Sequence, residues 1–208
     1  MRLLVTFATV GVFGFLATHA SADDLYPPDW RTDPPGQGFT TFQMWEFGTD
    51  DNPVGPDVVY NAFGDPTATI TGDWPLTLWK DEDFGHYGVW RFEDWMELFI
   101  PNNPEPEESK YIWLQITFSA GEGHDPEILS LPDWADLEII NHIQLDDYYY
   151  HGTYLITIEP NPEEELLVIM PRDCTLYVDE IVVDTICVPE PASLTLLAVF
   201  GLLLARRR

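Results

Sequence analysis

Tryptophan is the side chain in this sequence that most directly suggests ligand chemistry. The chain has eight tryptophans, all between residues 23 and 188, at positions 30, 45, 74, 79, 90, 95, 113 and 134. Flat aromatic faces stack on sugar rings, so a loop set formed by Trp74, Trp79 and Trp95 is a predicted carbohydrate platform. The alternative is packing in a hydrophobic core, which accounts for most tryptophans in β proteins.

Carboxylates offer a second kind of chemistry. Glu46 lies near the end of the first β-like run and Asp179 in the last one, each embedded in apolar sequence. The first and last strands of a sandwich are often neighbours, and the two carboxylates with nearby carbonyls would offer Ca²⁺ oxygen ligands at about 2.3 to 2.6 Å. Glu46 and Asp179 are therefore a predicted structural Ca²⁺ site, the alternative being two solvent-facing carboxylates on opposite sheets. The acidic clusters at 50–52, 81–83 and 146–147 lack EF-hand spacing and are interpreted as solvated loops.

Nothing in the sequence marks a catalytic residue. A glycosidase needs two carboxylates about 5 to 9.5 Å apart, and among 36 acidic residues no pair stands out. The Gly-x-Ser-x-Gly and His-Glu-x-x-His motifs are missing, as are the glycine-rich loops that bind nucleotides. We therefore expect a non-catalytic protein. A secreted hydrolase that acts on polysaccharide with a carboxylate pair is the alternative.

The charge of the chain limits the classes of partner that it can bind. All acidic residues except Glu190 lie between residues 23 and 188, which makes 35, against five basic residues and a net charge of −30. The five basic residues of this segment are Arg31, Lys80, Arg91, Lys110 and Arg172. Nucleic-acid binding is excluded on this balance. An anionic polysaccharide or membrane surface would also be repelled unless divalent cations bridge the two.

The pattern between residues 39 and 187 is that of many short strands separated by Gly, Pro, Asn and Asp. Predicted strands cover residues 40–47, 67–71, 88–92, 96–100, 111–118, 154–158, 166–170 and 175–186. The strongest is 111–118, which is expected to be central because its apolar residues alternate. Residues 119–133 are predicted to be a long loop, 133–141 is ambiguous between helix and strand, and 154–158 is expected to form a hairpin with 166–170.

These elements predict one all-β domain over residues 39–187, an antiparallel β-sandwich of jelly-roll type. In pattern alone, it resembles the non-catalytic sugar-binding modules and concanavalin-like domains of secreted proteins. Residues 23–38 hold four prolines and form a Pro-rich arm before it. Cys174 and Cys187 could pair only if the chain folds back between them, because a straight strand would hold them about 40 Å apart.

The first 22 residues predict a cleavable secretion signal. Arg2 precedes an apolar run over residues 3–17, and Ala20-Ser21-Ala22 supplies the small-x-small cleavage step. Cleavage is expected after Ala22. The alternative is a buried N-terminal helix of the folded domain.

The last 21 residues, 188–208, contain Pro189-Glu190-Pro191, then an uncharged run over 192–205, and finally Arg206, Arg207 and Arg208. This order closely resembles the PEP-CTERM sorting signal. The apolar run would form about 21 Å of helix, a short transmembrane span, and the arginines favour a cytoplasmic C-terminus. The resemblance implies that a membrane sorting protease cuts near Pro189-Glu190-Pro191. The alternative is a permanent inner-membrane anchor.

Together these observations predict an exported bacterial protein of the cell surface or extracellular matrix. Its acidic β-sandwich would bind carbohydrate, calcium or both, and the resemblance implies an exopolysaccharide context. A purely structural surface protein without a small ligand is the remaining alternative.

Overall fold

The computed structural model describes residues 24–103, 109–120, 124–131, 135–162, 164–172 and 175–188, and within these ranges the chain is all-β with no helix. It contains twelve strands. They are β1 Thr40–Trp45, β2 Val58–Tyr60, β3 Thr67–Ile70, β4 Leu78–Asp83, β5 His86–Phe92, β6 Met96–Pro101, β7 Ser109–Ala120, β8 Glu127–Leu131, β9 Asp136–Gln144, β10 Tyr150–Ile158, β11 Glu164–Met170 and β12 Leu176–Val188.

The strands form two antiparallel sheets. The larger sheet, sheet A, has eight strands in the order β2-β1-β12-β7-β10-β9, with β5 pairing with β12 and β4 pairing with β5. The smaller sheet, sheet B, has the order β3-β6-β11-β8. Strand β12 lies beside both β1 and β5 on one edge, with a bulge between Val178 and Glu180 where the partner changes. The first and last strands are therefore neighbours, which is the condition on which the predicted Glu46 and Asp179 site depended.

The two sheets share one apolar core, which gives the fold its sandwich-like form. Buried side chains of sheet A, such as Trp45 and Leu114, belong to the same cluster as Leu98 and Leu167 of sheet B. Strand β7 lies between β12 and β10, as its alternating pattern predicted. Its inward residues, Ile112, Leu114, Ile116 and Phe118, are fully buried. Their burial removes a large apolar area from water and accounts for the central position of β7.

Three local predictions need correction or completion. Residues 119–133 are not a single loop, because residues 127–131 form β8 and pair with β11. The ambiguous segment 133–141 is largely strand β9, which pairs with β10. The predicted hairpin of 154–158 with 166–170 is wrong. Strand β10 lies in sheet A and β11 in sheet B, so the segment between them crosses from one sheet to the other.

The Pro-rich arm contains no strand, yet it is packed against the outer face of sheet A. Trp30 meets Trp113 edge-on, with 5.8 Å between ring centroids. The backbone N–H of Tyr26 donates to Gln115 Oε1 at 2.9 Å, and Trp113 Nε1 donates to the Tyr26 carbonyl at 2.7 Å. Arg31 also bonds the buried carboxylate of Asp184 on β12. The position of the arm is therefore fixed by hydrogen bonds with side chains of the sheet and not by strand pairing.

The predicted signal peptide and sorting tail lie outside the described residues. Cys174 lies outside them as well. Residues 176–187 run as one strand, with the bulge but without the fold-back that a bridge between Cys174 and Cys187 would require.

Candidate functional site

The three tryptophans of the predicted platform have different environments. Trp74 is 80% exposed, whereas Trp79 and Trp95 are half-buried. Trp79 packs against the core and donates its indole N–H to the Phe47 carbonyl at 2.8 Å. Trp95 donates to Glu97 Oε1 at 2.9 Å. Trp74 is thus the member whose ring faces solvent, and the platform of three stays a prediction.

The loop that carries Trp74 is well supported by hydrogen bonds. The Asp73 carbonyl accepts hydrogen bonds from the N–H groups of Leu76 and Thr77, at 2.9 and 3.1 Å. Arg91 Nη1 donates to the Pro75 carbonyl at 2.9 Å. Hydrogen bonds therefore fix the backbone of the loop that carries the Trp74 ring. The other two tryptophans of the predicted platform are half-buried.

The predicted calcium ligands belong to neighbouring strands, with Glu46 directly after β1 and Asp179 within β12, but each contacts other groups. Glu46 is exposed, and its backbone N–H donates to Asp57 Oδ2 at 2.7 Å. Asp179 lies at the bulge of β12, where its carboxylate contacts His86. In the described ranges, no three His, Cys, Asp or Glu side chains are grouped so that they could hold a metal ion. Since Ca²⁺ takes six to eight oxygen ligands, this arrangement does not fit it well, and the site stays a prediction.

A different group of side chains is brought together at the tip of the β4–β5 hairpin. His86 lies between two carboxylates, with Nδ1 2.7 Å from Asp179 Oδ2 and Nε2 3.1 Å from Asp146 Oδ2. The imidazole also stacks on the ring of Tyr149 at 3.7 Å. Three separate parts of the chain therefore meet at one histidine: the hairpin tip, the loop between β9 and β10, and the bulge of β12.

Two exposed aromatic rings lie on the same two loops, Phe84 two residues before His86 and Tyr148 two residues after Asp146. Phe84 and Tyr148 stack with 4.0 Å between centroids and 12° between planes. Phe84 is 61% exposed and Tyr148 is 50% exposed. We call the whole group the tip cluster, and its members are Asp83, Phe84, His86, Asp146, Tyr148, Tyr149 and Asp179.

The backbone and the buried members of the tip cluster fix its geometry. Asp146 Oδ1 accepts hydrogen bonds from the N–H groups of Tyr148 and Tyr149, both at 2.7 Å, which makes a tight turn of the Asx type. Tyr149 is fully buried and donates its hydroxyl proton to Asp83 Oδ2 at 3.1 Å. Asp83 also forms an ion pair with Lys80. The exposed rings are therefore carried by an ordered base.

The contacts in the tip cluster shift the pKa values of its members. Burial alone would lower the pKa of His86, but the hydrogen bonds and charges of Asp179 and Asp146 outweigh it and raise the pKa above 6.5. Burial would raise the pKa of Asp146, but the N–H groups of Tyr148 and Tyr149 and the contact with His86 lower it. Burial and the charge of Asp83 raise the pKa of the Tyr149 hydroxyl, which therefore stays a hydrogen-bond donor. The contacts thus favour the protonated form of His86 and the ionised form of Asp146.

The tip cluster was not predicted from the sequence. The acidic runs 81–83 and 146–147 were interpreted as solvated loops, whereas Asp83 is buried and Asp146 bonds His86. The available signal was an aromatic residue directly after each acidic run, Phe84 after 81–83 and Tyr148 after 146–147. This signal could not be used, because the sequence does not show which distant loops lie together in the fold.

Comparisons of the chain with protein-family models, with curated proteins and with solved structures find no match. In the part of the chain that the structure describes, there is no helix that is long and apolar enough to span a membrane. The case for a function therefore comes from the site chemistry and from the terminal segments.

Proposed function

We propose that this chain is an exported, non-catalytic protein of the cell surface or extracellular matrix, and that its tip cluster binds a neutral saccharide. The observation that carries the proposal is the stacked, solvent-exposed pair of Phe84 and Tyr148 on an ordered base. The apolar face of a sugar ring stacks on such rings. Nearby carboxylates accept hydrogen bonds from its hydroxyl groups.

Charge selects a neutral saccharide over an anionic one. The segment between residues 23 and 188 carries a net charge of −30, and the tip cluster adds Asp146 and Asp179 beside the aromatic pair. A uronate or sulfate group would meet these carboxylates at short range, which costs free energy. A neutral exopolysaccharide meets no such penalty.

The same carboxylates support binding without catalysis. A retaining or inverting glycosidase needs one carboxylic acid that is protonated at the working pH. Asp146 and Asp179 both bond His86, and the pKa of Asp146 is lowered. Asp146 is therefore poorly suited to be the proton donor that a hydrolase at the tip cluster would need.

The wider setting of the proposal is a jelly-roll-like sandwich that reaches the cell surface. The neighbouring first and last strands and the crossing between β10 and β11 support a jelly-roll-like connection of two sheets. The signal at residues 1–22 would export the chain. The tail at 188–208 would hold it in the inner membrane until a sorting protease acts near Glu190.

Binding can be tested with the purified protein by affinity electrophoresis in gels that contain neutral or anionic polysaccharides. Phe84→Ala and Tyr148→Ala should each weaken binding to a neutral polysaccharide by about fivefold, since an aromatic contact is worth about 1 kcal/mol. Tyr87→Ala is the matched control, because Tyr87 lies on the same hairpin and is 60% exposed but is not part of the stacked aromatic pair. It should leave binding unchanged.

The same assay separates the alternatives. Loss of binding with Trp74→Ala, but not with Phe84→Ala, would move the site to the Trp74 loop. Release of reducing sugar would show a hydrolase. Failure to bind any polysaccharide would favour a purely structural surface protein.

A further inference from the structure

Lys110 and Glu165 meet in the interior between the two sheets. Lys110 lies near the start of β7 in sheet A, and Glu165 lies near the start of β11 in sheet B. Both side chains are fully buried, and Lys110 Nζ is 2.7 Å from Glu165 Oε2. In the antiparallel register, Lys110 is flanked by Ile158 on one side and Cys187 on the other. Water has no access to this amine and carboxyl.

The contact has no further support around it. Apart from each other, neither Lys110 Nζ nor either carboxyl oxygen of Glu165 has a hydrogen-bond partner among the described residues. A buried ion pair is favourable only when further hydrogen bonds satisfy its charges, because desolvation of the two ions costs several kcal/mol. As an ion pair, this arrangement would therefore be poorly stabilised.

The interior shifts both groups toward their neutral forms. Burial lowers the pKa of Lys110, although the charge of Glu165 opposes the shift. Burial raises the pKa of Glu165 to about 7, although Lys110 opposes it. A neutral amine is a nucleophile and a neutral carboxylic acid can lose its hydroxyl group, so these are the forms that can react with each other.

We propose that Lys110 and Glu165 are joined by an amide bond between Lys110 Nζ and Glu165 Cδ, a covalent cross-link between the two sheets. The lone pair of Nζ attacks Cδ and forms the C–N bond. The C–O bond to the carboxyl hydroxyl group then breaks. The hydroxyl leaves with a proton from the nitrogen as water, so no oxidant, reductant or other reactant is needed.

Two physical conditions favour this condensation in the folded protein. The fold holds the two groups in contact, and effective molarities for well-placed intramolecular reactions reach about 10⁵ M or more. The released water leaves a dry interior, and the absence of water at Cδ protects the product from hydrolysis. The unfolded chain has neither condition, so the bond forms only after the sheets have packed.

A second lysine provides an internal control. Lys80 also contacts a carboxylate, that of Asp83, but the Lys80 side chain is 28% exposed. Water reaches that amine, so the dry surroundings that favour condensation are missing and no amide is expected there. The difference between the two sites is burial, since both bring an amine against a carboxylate.

Peptide mapping of the purified, exported protein by mass spectrometry tests the proposal. The expected result is a branched peptide that joins the segments of Lys110 and Glu165, with a mass lower than their sum by one water. Lys110→Arg keeps the positive charge but has no reactive amine, so the branched peptide should disappear. Lys80→Arg should leave it unchanged.

The peptide map of the wild-type protein tests the proposed amide bond even if a variant fails to fold. Linear peptides that contain unmodified Lys110 and unmodified Glu165, with no branched species, would overturn the proposal. A branched peptide at Lys80 and Asp83 of equal yield would also overturn it, because the reaction would then not depend on burial.

Discussion

Arg31 of the N-terminal arm holds the carboxylate of Asp184, although 153 residues separate them in sequence. Nε lies 2.7 Å from Oδ1 and Nη2 contacts Oδ2, which is the two-point geometry of a guanidinium on a carboxylate. The side chain of Asp184 is only 3% exposed. Burial raises its pKa even though Arg31 opposes the shift. The arm therefore neutralises a charge that the outer face of the sheet could not otherwise bury.

Arg31→Met should destabilise the protein strongly, because it leaves Asp184 buried without its cation. We expect a loss of about 3 kcal/mol in the free energy of unfolding at neutral pH, measured by urea denaturation. The pKa of Asp184 should rise further. Arg172→Met is the control, since Arg172 is exposed and its loss should change stability by about 0.5 kcal/mol or less. Equal effects of the two variants would show that the arm is not held by this pair.

His86 should make stability depend on pH. Its pKa in the folded state is raised above the ordinary 6.5, so the folded state binds the proton more tightly than the unfolded state. The contribution of His86 is therefore complete below about pH 6.5 and is lost as the pH rises through the folded value. Because the site is partly exposed, we expect a loss of about 1 kcal/mol, measured by urea unfolding at several pH values.

His86→Gln should abolish this loss, while Asp179→Asn and Asp146→Asn should each lower the pKa of His86 measured by NMR titration. A pKa that is unmoved in both asparagine variants would contradict the geometry of the tip cluster.

Gly88 should tolerate no side chain. Its φ is +77°, and a Cβ there would lie 2.5 Å from the backbone oxygens of Glu46 and Phe47. Gly88→Ala should therefore cost about 3 kcal/mol or more in thermal or urea unfolding. Gly85→Ala is the matched control. Gly85 has a φ of +92° but nothing within 4 Å of a Cβ, so only the backbone term of about 1 to 2 kcal/mol applies.

Glu190→Ala should trap the unprocessed chain in a bacterium that carries the sorting protease. The glutamate between two prolines is the residue on which the predicted cut depends, and the measurement is the intact mass of the accumulated protein. The chain contains a second Pro-Glu-Pro, at residues 104–106, without a following apolar run. Glu105→Ala should therefore leave processing unchanged. An unaltered mature mass in Glu190→Ala would remove the processing claim.

The sequence predicted well those features that depend on local alternation. Strand β7 and its buried face were readable because Ile112, Leu114 and Ile116 recur every second residue. All three are fully buried. The partner of each strand was harder to predict. A strand with one apolar face looks the same whichever sheet it joins, and for that reason β10 and β11 were wrongly paired.

The tip cluster was not predictable for a related reason. Phe84 and Tyr148 are 64 residues apart in the sequence, and each alone looks like an exposed loop residue. Their stacking exists only because β4, β5, β9 and β10 place two loops together. Trp79 and Trp95 were predicted to be part of an exposed platform because they lie near turns. Their position in the sequence did not reveal that their indole N–H groups donate hydrogen bonds within the protein.

The docked arm has a consequence for the order in which the chain acquires its structure. Ribosomes make Tyr26, Trp30 and Arg31 early, yet their seat is built from Trp113, Gln115 and Asp184. Tyr26 and Trp30 need strand β7, and Arg31 needs residue 184 of β12, so the full set of arm contacts cannot form until nearly the whole polypeptide has been synthesised. Contacts that distant in sequence form late. The N-terminal arm is therefore expected to complete its packing only after β7 and β12 have paired.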